Sequence, residues 1–148
     1  MVDKVYKAPV AIEKYATEAP KALYTPTLYE FLSYNGTFKN YSRSVFNSTA
    51  TQSIPRGYSF YVISISMTYA GGTAPWSCLV YYGASNGDRF INGNADGTAN
   101  QHNISKSFPI PFRIKGNQDI VWESQTANGP TMHAVVSGFL IQDSFIDL

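Results

Sequence analysis

Apolar and polar positions alternate along most of this chain. In YSFYVISISMTY, residues 58–69, Tyr61, Ile63, Ile65, Met67 and Tyr69 share one face and Ser64, Ser66 and Thr68 the other. That two-residue period is the mark of a half-buried strand. AGGTAP then turns the chain. WSCLVYY alternates again, with Trp76, Cys78, Val80 and Tyr82 opposite Ser77, Leu79 and Tyr81. A loop rich in Gly and Asn, residues 83–103, carries a short strand around Phe90. In SFPIPFRIK, Phe108, Ile110, Phe112 and Ile114 alternate with Pro109, Pro111, Arg113 and Lys115. Residues two apart in a strand point their N–H groups to the same side. The two prolines therefore strip donors from one edge and predict an edge strand or the rim of a subunit contact. KGNQD turns the chain, and IVWES starts another strand with Trp122 on the face of Ile120. After the turn NGP, the segment TMHAVVSGFLI is apolar on both sides: Met132, Ala134, Val136 and Leu140 on one, Val135, Phe139 and Ile141 on the other. This suits a central strand covered on both faces, with Gly138 at a close approach or a bulge. Strands at this spacing, with no helical period between them, predict an all-β fold: an antiparallel β-sandwich over residues 41–148.

Residues 1–40 break the pattern. VYKAPVAIEKYATEAPKALYTPTLYEFLSYNG carries too many large apolar groups for a solvated tail, while Pro9, Pro20 and Pro26 stop a long helix or a central strand. Pro9 opens a helical turn over residues 10–18, which Pro20 ends. Thr27 and Glu30 have the spacing of a capping box for a helix over residues 28–34, with Gly36 past its end. Neither piece reaches the length at which a helix stands alone in water, so each needs a surface. The prediction is an extended N-terminal arm with short helical turns. Its anchors are Val5, Tyr6, Val10, Ile12, Tyr15, Leu23, Tyr24, Leu28, Tyr29, Phe31 and Leu32. Each contributes about 1.5–3 kcal/mol when buried, against about 1–2 kcal/mol per residue of backbone entropy. Separate anchors between prolines suit pockets on a foreign surface, so the arm is expected to dock on another subunit rather than on its own sheet.

Composition narrows the function classes. The formal net charge is +1, nine of the 21 charged residues lie in residues 1–40, and none lies between Gly57 and Gly87. That balance gives no reason to expect nucleic acid as a partner. Lys106, Arg113 and Lys115 fit solvated edge charges that deter strand addition. No run approaches the roughly 18 apolar residues of a membrane span, and no secretory signal follows Met1. The single Cys78 excludes an internal disulfide framework. Sequons at Asn35, Asn40, Asn47 and Asn103 fit by-products of an Asn/Ser/Thr-rich composition.

Candidate chemistry is thin. His102 and His133 are the two histidines available as general bases. No nucleophile elbow is present, since Ser137-Gly138 falls within a strand. Cys78, on an inward face, reads as a small hydrophobe. NGNADG, residues 92–97, imitates the start of a calcium loop, but Asn92 stands where an Asp is needed and Asn103 where a bidentate Glu is needed. No enzyme activity, metal or cofactor is expected. Trp76 and Trp122 are candidate platforms for a sugar ring, the alternative use to core packing.

FPIPFRI, the turn KGNQDI into VWES, and the closing AVVSGFLI together resemble the small jelly-roll and related β-sandwich domains of tailed-bacteriophage virions: capsid decoration proteins, head fibres and tail appendages. The leading arm is similar to those by which virion proteins hold their neighbours. The resemblance implies a jelly-roll-like sandwich and a structural, accessory role in the virion. It also implies a symmetric homo-oligomer, a trimer favoured, with other capsid or tail proteins as partners and synthesis in the host cytoplasm. The alternative is a lectin-like, carbohydrate-binding module, such as the receptor-contacting tip of an appendage.

Overall fold

The structure, a computed structural model, describes residues 25–72, 77–83, 89–94, 100–125 and 128–147. They form one helix, α1 (Leu28–Asn35), and eight strands: β1 (Thr37–Phe46), β2 (Thr49–Ser53), β3 (Tyr58–Ala70), β4 (Ser77–Tyr82), β5 (Arg89–Asn94), β6 (Gln101–Lys115), β7 (Asp119–Ser124) and β8 (Thr131–Gln142). A short 3-10 turn, Asp143–Phe145, follows β8. The strands pair antiparallel in two four-stranded sheets, ordered β1-β8-β3-β6 and β2-β7-β4-β5. Of the connections, only β4 to β5 stays within a sheet. The expected antiparallel sandwich is present. Its first sheet begins at Thr37, so residues 37–40 belong to a strand and not to the arm.

The main core lies between the sheets. Met132, Ala134 and Val136 of β8 face Cys78 and Val80 of β4 and Ile120 and Trp122 of β7, all fully buried. Trp122 Nε1 donates to the carbonyl of Ala134 at 3.1 Å, satisfying the indole N–H across the two sheets. One flank of the sandwich is closed by an aromatic seam. Phe90 of β5 stacks on Tyr82 at 5.1 Å and meets Phe112 of β6 edge-on at 5.5 Å, with Phe108 6.0 Å away. On the other flank Arg43 of β1 bonds Gln52 of β2 and lies 5.4 Å from the centroid of the Trp122 ring.

Two irregularities correct the expected faces. The β3 pairing runs Val62↔Phe112 and then Ser64↔Ser107, leaving Ile63 opposite the four residues 108–111. Against β8 the same shift falls between Val62↔Gly138 and Ser64↔Ser137. A strand that gains one residue changes face. Ile65, Met67 and Tyr69 therefore enter the main core, while Tyr61 and Ile63 point to the opposite side. Phe60 and Val62 take their places inside. On β6, Phe108, Phe112 and Ile114 pack inward as expected, but Ile110 is 78% exposed at the crest of the bulge. β6 is an edge strand, as its prolines predicted.

Gly138 sits where the β3 bulge presses on β8. A Cβ there would run into the carbonyl oxygen of Tyr61 and come within 3.0 Å of the Phe60 ring. Gly138→Ala is expected to destabilise the fold by about 3 kcal/mol, read as a lower urea midpoint at unchanged slope. Thr131→Ala, exposed on the same strand, should leave that midpoint within about 0.5 kcal/mol.

Candidate functional site

The patch that the β3 bulge turns outward is covered by α1. Thr27 and Glu30 close the predicted capping box: Glu30 N–H donates to Thr27 Oγ1 at 3.1 Å, and Thr27 N–H donates to Glu30 Oε1 at 2.9 Å. At the other end the Gly36 N–H donates to the Leu32 carbonyl at 2.7 Å. Eight residues do not hold a helix in water. What holds this one is Leu32, fully buried among Tyr61, Phe139 and Ile141, with Leu28, Phe31, Ile63 and Ile146 around it. Three expected arm anchors, Leu28, Phe31 and Leu32, thus lie on the chain's own sheet. For them the expectation of docking on a foreign surface is overturned, because the bulge supplies an apolar seat at home. Val5, Tyr6, Val10, Ile12, Tyr15, Leu23 and Tyr24 lie outside the described residues, as does the helical turn at 10–18.

The C-terminal turn closes the same seat from below. Arg113 grips both carboxylate oxygens of Asp147, at 3.2 and 2.8 Å, and its Nε donates to Ser59 Oγ at 3.0 Å. The buried Ser59 hydroxyl donates to Asp143 Oδ1 at 2.6 Å. The hydrogen bond from Arg113 holds the Asp147 carboxyl below its ordinary value of 3.8, and Lys115 adds to the effect. Burial pushes the Tyr61 phenol up, partly opposed by Arg113.

Beside this seat the surface stays apolar. Tyr29 is 50% exposed and Phe38 49%; both rings meet Phe139 edge-on, at 5.6 and 5.4 Å. Tyr34 projects from the helix. Between the start of α1 and the β6 bulge runs a groove of about 410 Å³ lined by Thr27, Leu28, Tyr29, Pro109, Ile110 and Pro111.

The remainder of the same sheet face is different. Three cross-strand rows, Asn40–Ser137–Ser64–Ser107, Ser42–Val135–Ser66–Ser105 and Ser44–His133–Thr68–Asn103, carry hydroxyls and amides around Val135 and His133 and no Asp, Glu, Lys or Arg. His133 has Ser44 Oγ 2.7 Å from Nδ1 and Ser42 Oγ 3.3 Å from Nε2. A hydroxyl on each ring nitrogen leaves no carboxylate to orient the imidazole as a base. His102 stacks on Tyr69 at 5.1 Å. Burial raises the Cys78 thiol to about 11, so it stays protonated at neutral pH. Among the described residues no three His, Cys, Asp or Glu side chains gather to hold a metal ion. Asn92–Asn94 of the calcium-like loop lie in β5, and residues 95–99 lie outside the described residues.

The sugar-platform expectation fails at Trp122, which is sealed in the core with no face for a ligand; its bulk is better spent filling the sandwich than exposed. Trp76 lies outside the described residues. Of the sequons, Asn47 uses its side-chain oxygen to accept the Gly129 N–H at 2.8 Å.

No protein-family model matches the chain, and no curated protein matches it. The assignment of function therefore rests on the surface described above.

Two measurements probe the helix seat. Leu32→Ala is expected to cost about 3 kcal/mol and Thr27→Ala about 1 kcal/mol, both read by chemical denaturation. The C-terminal clasp has a defined pH response. Because the folded Asp147 carboxyl titrates below 3.8, the clasp is complete above that pH and is lost as pH falls through the lower folded value. Ile146 methyl shifts should report release on acidification below about pH 4, and Asp147→Asn should remove the response.

Proposed function

We propose that this chain is an accessory structural subunit of a virion, a capsid decoration or appendage protein that binds neighbouring subunits through its N-terminal arm. It works by burial and not by chemistry. The strand order supports the reading: four strands ordered 1-8-3-6 facing four ordered 2-7-4-5 is the arrangement of a jelly roll, an architecture used by capsid and lectin domains. Fold does not fix function, and the observation that carries the proposal is the apolar rim where the arm meets the body. Tyr29 and Phe38 are about half exposed there and Ile110 78%, and Tyr34 of the same helix is 88% exposed. Exposed apolar groups gathered at one place mark a contact surface. On this reading the protein is a homo-oligomer, a trimer favoured, with other virion proteins as partners. It is made in the host cytoplasm and takes no cofactor.

A carbohydrate-binding role has one observation in its favour, the uncharged hydroxyl and amide face around His133, which matches the hydrogen-bonding character of a neutral glycan. A glycan array separates the two: binding that His133→Ala abolishes would favour the lectin reading.

The arm itself is tested by deleting residues 1–24. A cut at residue 40 would remove Leu32 from its seat and the first residues of β1, confounding assembly with folding. Sedimentation velocity should show the full chain associating and the shortened chain as a monomer of nearly unchanged melting temperature. Association that survives the deletion would refute the proposal.

A further inference from the structure

We infer that the groove between α1 and the Pro109–Pro111 bulge is the receptor for the arm of a second copy of this chain. The inference rests on the assembly reading above and gives it an address. The groove holds about 410 Å³ and is walled by Leu28 and Tyr29 on one side and Pro109, Ile110 and Pro111 on the other. Pro109 and Pro111 have no N–H to donate, so an occupant is not recruited by strand addition to this edge. It is held by apolar side chains entering between the Tyr29 ring and the proline surfaces. The segment that precedes Thr25 carries such side chains: Val10, Ile12 and Tyr15 stand between Pro9 and Pro20.

The length of the arm allows exchange between copies. Thr25, Pro26 and Thr27 are all exposed. Thr27 has the extended angles φ −67° and ψ 162°. Pro26 biases Thr25 toward the same extended form. Thr25–Thr27 thus leads into α1 as an exposed stretch at the rim of the groove, which Thr27 lines. An arm of 24 residues spans up to about 80 Å when extended, ample to cross to a neighbouring body.

The test uses full-length chains and sedimentation equilibrium. Ile110→Asp changes an exposed side chain, so its melting temperature should stay at the wild-type value. A second variant carries Val10→Asp, Ile12→Asp and Tyr15→Asp. Each variant alone is expected to self-associate at least tenfold more weakly than wild type. An equimolar mixture should form a 1:1 complex, because one copy supplies an intact arm and the other an intact groove. If Ile110→Asp associates like wild type while the arm variant does not, the groove is refuted and the arm reading stands. If both associate like wild type, both fall. If wild type associates and the mixture stays monomeric, the occupant is not a second copy's arm.

Discussion

One extra residue in β3 decides what the outside of this molecule is. At Ile63 the strand gains a residue relative to β8, while β6 sets four residues against that one, and the side chains of β3 change face there. Before the bulge, Tyr61 points away from the main core; after it, Ser64, Ser66 and Thr68 do. The outer face of a single sheet is thereby split into an apolar end and a polar end. A regular strand would have put Tyr61 on the side of Ile65 and Met67 and left α1 nothing to sit on. Gly138 permits the shift, because only a residue without Cβ lets β8 pass so near the Tyr61 carbonyl.

Helix, clasp and groove all follow from that apolar end. Leu32 caps Tyr61, Phe139 and Ile141, and Ile146 of the C-terminal segment packs on the same group. Arg113, on the outer side of β6 just past the bulge, is placed to take Asp147 and Ser59 together. The four residues of β6 that lie opposite Ile63 cannot all stay in the ladder, so Pro109 and Ile110 are pushed out beside Tyr29. Both ends of the described chain thus converge on one patch, and its rim is where apolar surface is left uncovered.

Much of this was legible in the sequence, and the failures share a cause. The capping box and Gly36 gave the helix nearly to the residue, since each of those positions answers a local hydrogen-bonding need. The prolines of β6 marked an edge, and Gly138 a close approach, for reasons equally local. The bulge was not legible: Tyr61, Ile63, Ile65, Met67 and Tyr69 alternate without a break, and Ile fits either face of a strand. The count of residues displaced from β6 is set by pairing with β3, which no local pattern encodes. The owner of α1's seat was hidden for the same reason. Leu28, Phe31 and Leu32 look like anchors for any apolar surface, and the surface exists only after β3 changes face. Trp122 fits a platform as well as a core in sequence, because a strand pattern does not say which side meets the other sheet.

The division of the arm at Thr27 has an energetic consequence for assembly. Association costs several kcal/mol in lost translational and rotational freedom before any contact is counted, and ordering each residue of an arm adds about 1–2 kcal/mol. A helix already folded on its own body would contribute a rigid wall without that cost. β6 adds a second constraint. Its edge near the helix offers prolines in place of N–H donors, so that stretch is closed to generic strand pairing, which any exposed strand could supply. An edge closed to indiscriminate β-addition but bordered by an apolar groove suits contacts made by side chains over contacts made by strand pairing.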